Sequence, residues 1–243
     1  WYILTLATFT FTFVVAIPAM SLPVLFAEIA RDLGLTLVQV GWIWGIGSVM
    51  GIVVGLLGGP VGDRLGPRRT LAGACLLMGL CGAARGLTWN FMSLAVTMFF
   101  LGFAQSAIPM NVHKTCGIWF PGPRLGTANG VVSVGMAFGF MVGSLLAATV
   151  LSPWLGGWRH VFFLYGALAL LFSLLWWFSQ DQAAAADAAP VDHLSIGAAL
   201  RHVTSLPNVW WLSLATLGVT ACINGTLGYL PLYLRDLGWP DAT

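Results

Sequence analysis

Acidic and basic residues are absent from five long runs of this sequence: residues 1–27, 33–62, 86–113, 125–158 and 202–234. About 20 apolar residues suffice for an α-helix to cross the hydrocarbon core of a bilayer. Two shorter charge-free runs, 70–84 (ending at Arg85) and 160–180, extend the series. The charges thus divide the chain into seven segments, roughly 2–26, 37–60, 70–89, 91–112, 126–150, 159–179 and 208–233, each read as a membrane-spanning helix. The expected fold class is all-α, a polytopic membrane protein.

Composition agrees. Of the 243 residues, 58% are hydrophobic and 7% charged, against about 25% charged in a soluble domain. Too few polar residues are present to cover a water-facing surface. Gly, at 30 residues, is enriched as membrane helices favour, because it lets backbones approach closely. A net charge of +2 is too small to indicate a nucleic-acid partner. Cys75, Cys81, Cys116 and Cys222 show no CxxC spacing, so no metal or redox site is indicated.

Residues 180–206 change character, with Gln180, Asp181, Gln182, Asp187, Asp192, His193, Arg201 and His202. They read as a solvated linker, with a short amphipathic helix at 194–203. Alternation of the seven segments puts Arg64, Arg68, Arg69, Lys114, Arg124 and Arg201 on one side, and Arg31, Arg85, Arg159 and Arg235 on the other. The richer side is expected to be cytoplasmic, together with the N-terminus and the linker.

Two segment ends resemble each other. Leu22-Pro23-Val24-Leu25-Phe26 followed by Arg31-Asp32-Leu33-Gly34 parallels Leu230-Pro231-Leu232-Tyr233-Leu234 followed by Arg235-Asp236-Leu237-Gly238, with residues 27–30 lacking a counterpart. Internal repeats mark transporters. On this reading the seventh segment restarts a six-span unit.

Between the second and third segments stands Gly59-Pro60-Val61-Gly62-Asp63-Arg64-Leu65-Gly66-Pro67-Arg68-Arg69. Gly59, Gly62 and Gly66 permit a tight turn, and Asp63 suits a helix N-terminus. This stretch resembles the GxxxDRxGxRR loop signature of the major facilitator superfamily. Trp158-Arg159, Phe162 and Gly166 are similar to the WRxxFxxxG element opening that family's sixth helix. Trp119-Phe120-Pro121 with Arg124, Gly126, Ala128 and Gly130 is similar to its WFPxxxRGxAxG connection. The stretch from Arg85 to Lys114, with Pro109, faintly resembles the cyanate-porter branch.

The resemblance implies a six-helix N-terminal bundle over 1–180, a cytoplasmic linker over 181–206, and the first helix of a second bundle over 207–243. It implies a multi-pass protein of the plasma (inner) membrane, whose partners are the lipid bilayer, a small-molecule solute and the missing C-terminal half, without which the chain is expected not to transport. No cofactor is implied. In the family the loop containing Gly59, Asp63, Arg64, Gly66, Arg68 and Arg69 steadies one conformation by contacts across the two halves, and helices one, two, four, five and seven line the path. Two departures bear on coupling. Met98-Phe99-Phe100-Leu101-Gly102 lacks the family's fourth-helix Arg, and Gly143 is followed by Ser144 where antiporters carry a GP pair. Symport or uniport is therefore expected over antiport.

Few polar residues lie inside the segments, and each wants a partner there. The candidate path residues are Thr8 and Thr12, which share a face with Thr5, then Gln105, Asn111, Asn129, Ser133, Asn224 and Tyr229. Self-bonded hydroxyls are the competing reading for the threonines. Asn224 beside Gly225 is a candidate helix break. Gly135, Gly139 and Gly143 at i, i+4, i+8 form a helix-packing face that could slide during transport. Arg85 lies close enough to Trp89 to reach the outer surface as a snorkelling side chain; the alternative is an attraction site for anions. No Asp or Glu falls inside any segment.

The leading function is a secondary carrier working by alternating access. Alternatives are a non-transporting sensor or receptor on the same scaffold, and a channel. No catalytic constellation is visible, so no enzyme activity is expected. The absence of intramembrane acids leans the substrate towards an anion or a neutral polar compound.

Overall fold

A computed structural model describes residues 1–179, 201 and 204–238; for 55–64, 227, 231, 232, 235 and 236 it describes the backbone alone. Every regular element among them is helical. Five helices are long and apolar enough to cross a membrane.

Helix α1 spans Tyr2–Leu33. Its middle, Thr10–Ala16, is wound as a π-helix, and Pro23 lies inside it. The sequence suggests a helix end near Pro23, yet the helix continues to Leu33. Membrane helices tolerate an internal proline when neighbouring groups satisfy the freed backbone. Gly34, left-handed at φ 62°, ends the helix instead.

Leu37–Gly86 is one helical stretch of 50 residues, interrupted at Gly66 (φ 77°, ψ 156°). Residues 37–65 are α2 and 67–86 are α3. A capping box between Thr36 and Gln39 starts α2. Of the three glycines offered for the turn, only Gly66 adopts a positive φ. Asp63 therefore falls in the last turn of α2, not at a helix N-terminus, because the break comes after it.

Helix α4, Phe91–Trp119, opens with an Asn90–Ser93 capping box. Helix α5 spans Arg124–Leu155, with a second π stretch at Ala147–Leu151. Helix α6 spans Trp158–Trp177. These six helices belong to one compact unit, and α7, Pro207–Asp236, belongs to another. Helix α7 runs unbroken through Asn224 and Gly225. The expected break is absent, and the Asn224 amide donates to Thr220 O at 2.9 Å along its own helix. The linker reading at 181–206 and its amphipathic helix lie largely outside the described residues.

Three helix pairs cross through glycine. On α5, a Cβ at Gly139 would meet Thr12 O at 2.9 Å, and one at Gly143 would meet Ile17 O at 2.5 Å. On α4, a Cβ at Gly102 would collide with the backbone of Gly47 on α2. On α6, a Cβ at Gly166 would lie 2.8 Å from the Ala83 backbone on α3. Exchanging α1–α3 with α4–α6 maps the α1–α5 crossing onto α4–α2 and α3–α6 onto itself. This is the relation expected of a three-plus-three repeat within a six-helix half. Without a hydrophobic force between helices in lipid, such close approaches supply the association through van der Waals contact.

Outside these crossings the bundle exposes large apolar side chains, including Trp42, Ile52, Phe100, Phe138, Leu171 and Trp177. Such a surface is stable in hydrocarbon, and the chain is an integral, multi-pass membrane protein.

Candidate substrate path and conformational loop

Helices α4 and α5 meet through two polar side chains. His113 Nδ1 lies 3.0 Å from Asn129 Oδ1. With the amide oxygen presented to it, Nδ1 carries the proton and donates; in that tautomer Nε2 is an acceptor, and the donors left for a solute are the Asn129 amide N–H groups. The imidazole also meets Phe11 of α1 edge-on, with centroids 6.0 Å apart. Ser133, one turn along α5 from Asn129, is exposed, and Gln105, about two turns before His113, is half-buried. Where α4 ends and α5 begins, a cavity of about 510 Å³ is lined by Trp1, Leu4, Trp119, Phe120, Arg124, Thr127 and Ala128.

The remaining path candidates lie elsewhere. Thr12 Oγ1 donates to Thr8 O at 2.9 Å, and both threonines press against Gly135. Thr8 Oγ1 is buried without a hydrogen-bond partner among the described residues. Asn111 is buried and donates to Ala107 O at 2.9 Å. These three side chains serve the packed interior in this structure, not the exposed face shared by His113 and Ser133. Asn224 and Tyr229 are exposed on α7. Gly135, Gly139 and Gly143 all face α1.

The loop is anchored by arginine. Arg68 Nε donates to Trp176 O at 3.4 Å, and its Nη2 donates to Trp177 O. The last carbonyls of a helix lack intrahelical donors and carry the negative end of its dipole. Arg68 therefore caps α6 and fixes the start of α3 beside it. Thr70 Oγ1 donates to Gly66 O at 2.8 Å, bracing the break. Arg69 is exposed; the side chains at Gly59, Asp63 and Arg64 lie outside the described residues.

At the opposite ends of these helices, two carboxylates gather α1, α5 and α6. Glu28 accepts from Ser152 Oγ at 2.7 Å and from Trp158 N at 3.0 Å. Asp32 accepts from Trp158 Nε1 at 3.1 Å and pairs with Arg159, whose Nη2 donates to Thr88 O at 3.0 Å.

The sequence model of the Major Facilitator Superfamily matches residues 4–243. The chain belongs to that superfamily. Among curated superfamily relatives, a probable nitrate/nitrite antiporter of Thermus thermophilus is 28% identical, over 97% of this chain and 54% of its own length. The 3-(3-hydroxy-phenyl)propionate transporter of Escherichia coli K12 is 30% identical over 88% of this chain and 52% of its own length. The chain thus spans about half the length of these curated relatives. Among solved structures, a bacterial homologue of the human lysosomal transporter Spinster, inward-facing and unoccupied, superposes with a TM-score of 0.78 at 17% identity, over 99% of this chain and 57% of that one. That likeness establishes the superfamily fold.

Arg85 departs from the snorkelling expectation. Its side chain is 2% exposed. The α3 glycines Gly79, Gly82 and Gly86 bring α6 too close for the side chain to escape. Its guanidinium lies over the Phe162 ring, 4.2 Å from the centroid. Removing a cation from water still costs several kcal/mol after relaxation, whereas a desolvated cation–π contact returns about 2 kcal/mol. The charge is undercompensated by the side chains around it.

Sequence reading missed Glu28, Asp32, His113 and this burial of Arg85. For the acids a signal existed: the WR pair opening α6 needs an acceptor, and the RDLG element at the end of α1 supplies one. For His113, spacing gives no indication of an amide partner on α5.

Proposed function

We propose that this chain forms the first part of a secondary carrier that moves a small anionic solute by alternating access. The His113–Asn129 pair carries the reading: a polar junction, bonded at 3.0 Å, between two helices otherwise apolar enough to cross a membrane. A solute reaching it meets the Asn129 amide N–H groups and the Ser133 hydroxyl, with Arg124 at the neighbouring cavity. Amide, hydroxyl and guanidinium donors suit an anion. The relatives support this class, since one is named for nitrate and nitrite and another for a propionate.

In this reading residues 1–180 are the six-helix N-terminal bundle, 181–206 the linker and 207–243 the first helix of the second bundle. The N-terminus and the Gly66 break face the cytoplasm of a plasma membrane. Symport or uniport is favoured by Gly143-Ser144 in place of a GP pair; the name of the Thermus relative weighs towards exchange. Uptake that needs no preloaded counter-substrate would decide for the former.

The test is cysteine accessibility in membranes, with Cys222, which is exposed, first replaced. Cysteine at His113, Asn129 or Ser133 should react with a water-soluble thiol reagent and be protected by a pool of small anions, but not by sugars. Inert cysteines at all three positions, from both sides of the membrane, would remove the path.

A further inference from the structure

Arg85 is absent from the lining of the cavity beside the proposed path and from the two other cavities described. Its Nη1 has only the weak acceptor Met98 Sδ, at 3.8 Å. Its Nε is buried without any partner among the described residues. No carboxylate pairs with it among those residues. Tyr165 stands one turn along α6 from Phe162, on the same face of the helix as the ring that carries the guanidinium. Tyr165 OH lies 2.8 Å from Ser21 Oγ. Ser21 Oγ has two backbone acceptors, Ile17 O at 2.7 Å and Gly143 O at 3.4 Å; with its proton on either, it accepts from the phenol.

We propose that Arg85 and Tyr165 form a site for one halide-sized inorganic anion, chloride under cellular conditions, inside the N-terminal bundle and apart from the solute path. The guanidinium supplies the charge and the unused Nε–H. The phenol swings its O–H from Ser21 to the anion, while Ser21 keeps Ile17 O. Phe162 closes one face of the guanidinium, which confines the ligand to its edge. An anion here resolves the uncompensated charge that the close α3–α6 crossing creates. Intramembrane charges commonly mark binding sites, and among the described residues the side chain of Arg85 makes only the weak bond to Met98 Sδ.

The experiment is thermal unfolding of the purified chain in detergent, at constant ionic strength, as sodium gluconate is replaced by sodium chloride or bromide. The wild type should show a saturable rise in midpoint with either halide. Arg85→Gln should abolish the rise. Tyr165→Phe should raise the half-maximal halide concentration about tenfold, the loss expected from one charge-assisted hydrogen bond. His113→Ala, which alters the proposed path, should leave the halide response intact, so the two proposals fail separately. A wild type indifferent to halide would overturn the site. So would a response that survives in Arg85→Gln. If Arg85→Gln does not fold, Tyr165→Phe decides alone: an unchanged half-maximal concentration would overturn the proposal.

Discussion

Gly102 of α4 and Gly47 of α2 touch backbone to backbone, with no room for a side chain on Gly102. The contact fixes the distance between the two helices, and through α4 it sets where His113 lies relative to α5. Gly102→Ala should lower the unfolding free energy by about 1–3 kcal/mol, the usual cost of overpacking. Gly130→Ala, with open space around its Cβ position, should not lower it, because alanine is the better helix former where nothing is met. Denaturation of both variants in the same detergent checks this, and equal midpoints would show that the crossing yields readily.

The two carboxylates at the ends of α1, α5 and α6 should differ in weight. Glu28 holds a Ser152 hydroxyl and a backbone N–H, and Glu28→Gln should cost about 1–3 kcal/mol, as loss of a charged acceptor does. The Asp32–Arg159 side chains are 43% and 35% exposed, and an exposed ion pair contributes only about 0–1 kcal/mol. Asp32→Asn should therefore be the milder change. Unfolding measurements that reverse this order would show that the ion pair, not Glu28, holds the three helices.

The Gly66 break and the α5–α6 turn should open to opposite sides of the membrane. Leu65 and Trp154 are exposed next to these positions and avoid the positive φ of Gly66 and Gly156. Single cysteines there should label from opposite faces. Labelling from one face would refute the alternation of helices on which the path assignment stands.

Asp63→Asn should slow conformational cycling when the chain works together with the rest of its carrier, with membrane levels unchanged. Arg68→Ala should in addition destabilise the bundle by about 1 kcal/mol, because the α6 carbonyls lose their cap. Transport by Asp63→Asn equal to wild type would reduce the acid to a surface charge.

The helices were legible because a bilayer demands long uncharged runs, and the lone loop residue that had to be glycine, Gly66, sat within a readable motif. The site was legible only in part. Spacing puts Thr8 and Thr12 on one face of α1, but whether that face meets water or Gly135 depends on α5, whose distance no local pattern encodes. Arg85 shows the same limit. Its neighbours Gly82 and Gly86 are visible in sequence, but the helix that closes over them is contributed by Gly166, far along the chain.

The π stretch Thr10–Ala16 has one further consequence. A π turn holds an extra residue over the arc that an α turn would cover, so α1 carries slack in its length. Removing a single residue there can be absorbed by rewinding the turn, leaving Glu28 and Asp32 aimed at α6. The same deletion at Val24, in regular helix, would swing everything beyond it by about 100° and point both acids into lipid. Where α1 can be shortened is thus decided by winding rather than by distance from the site.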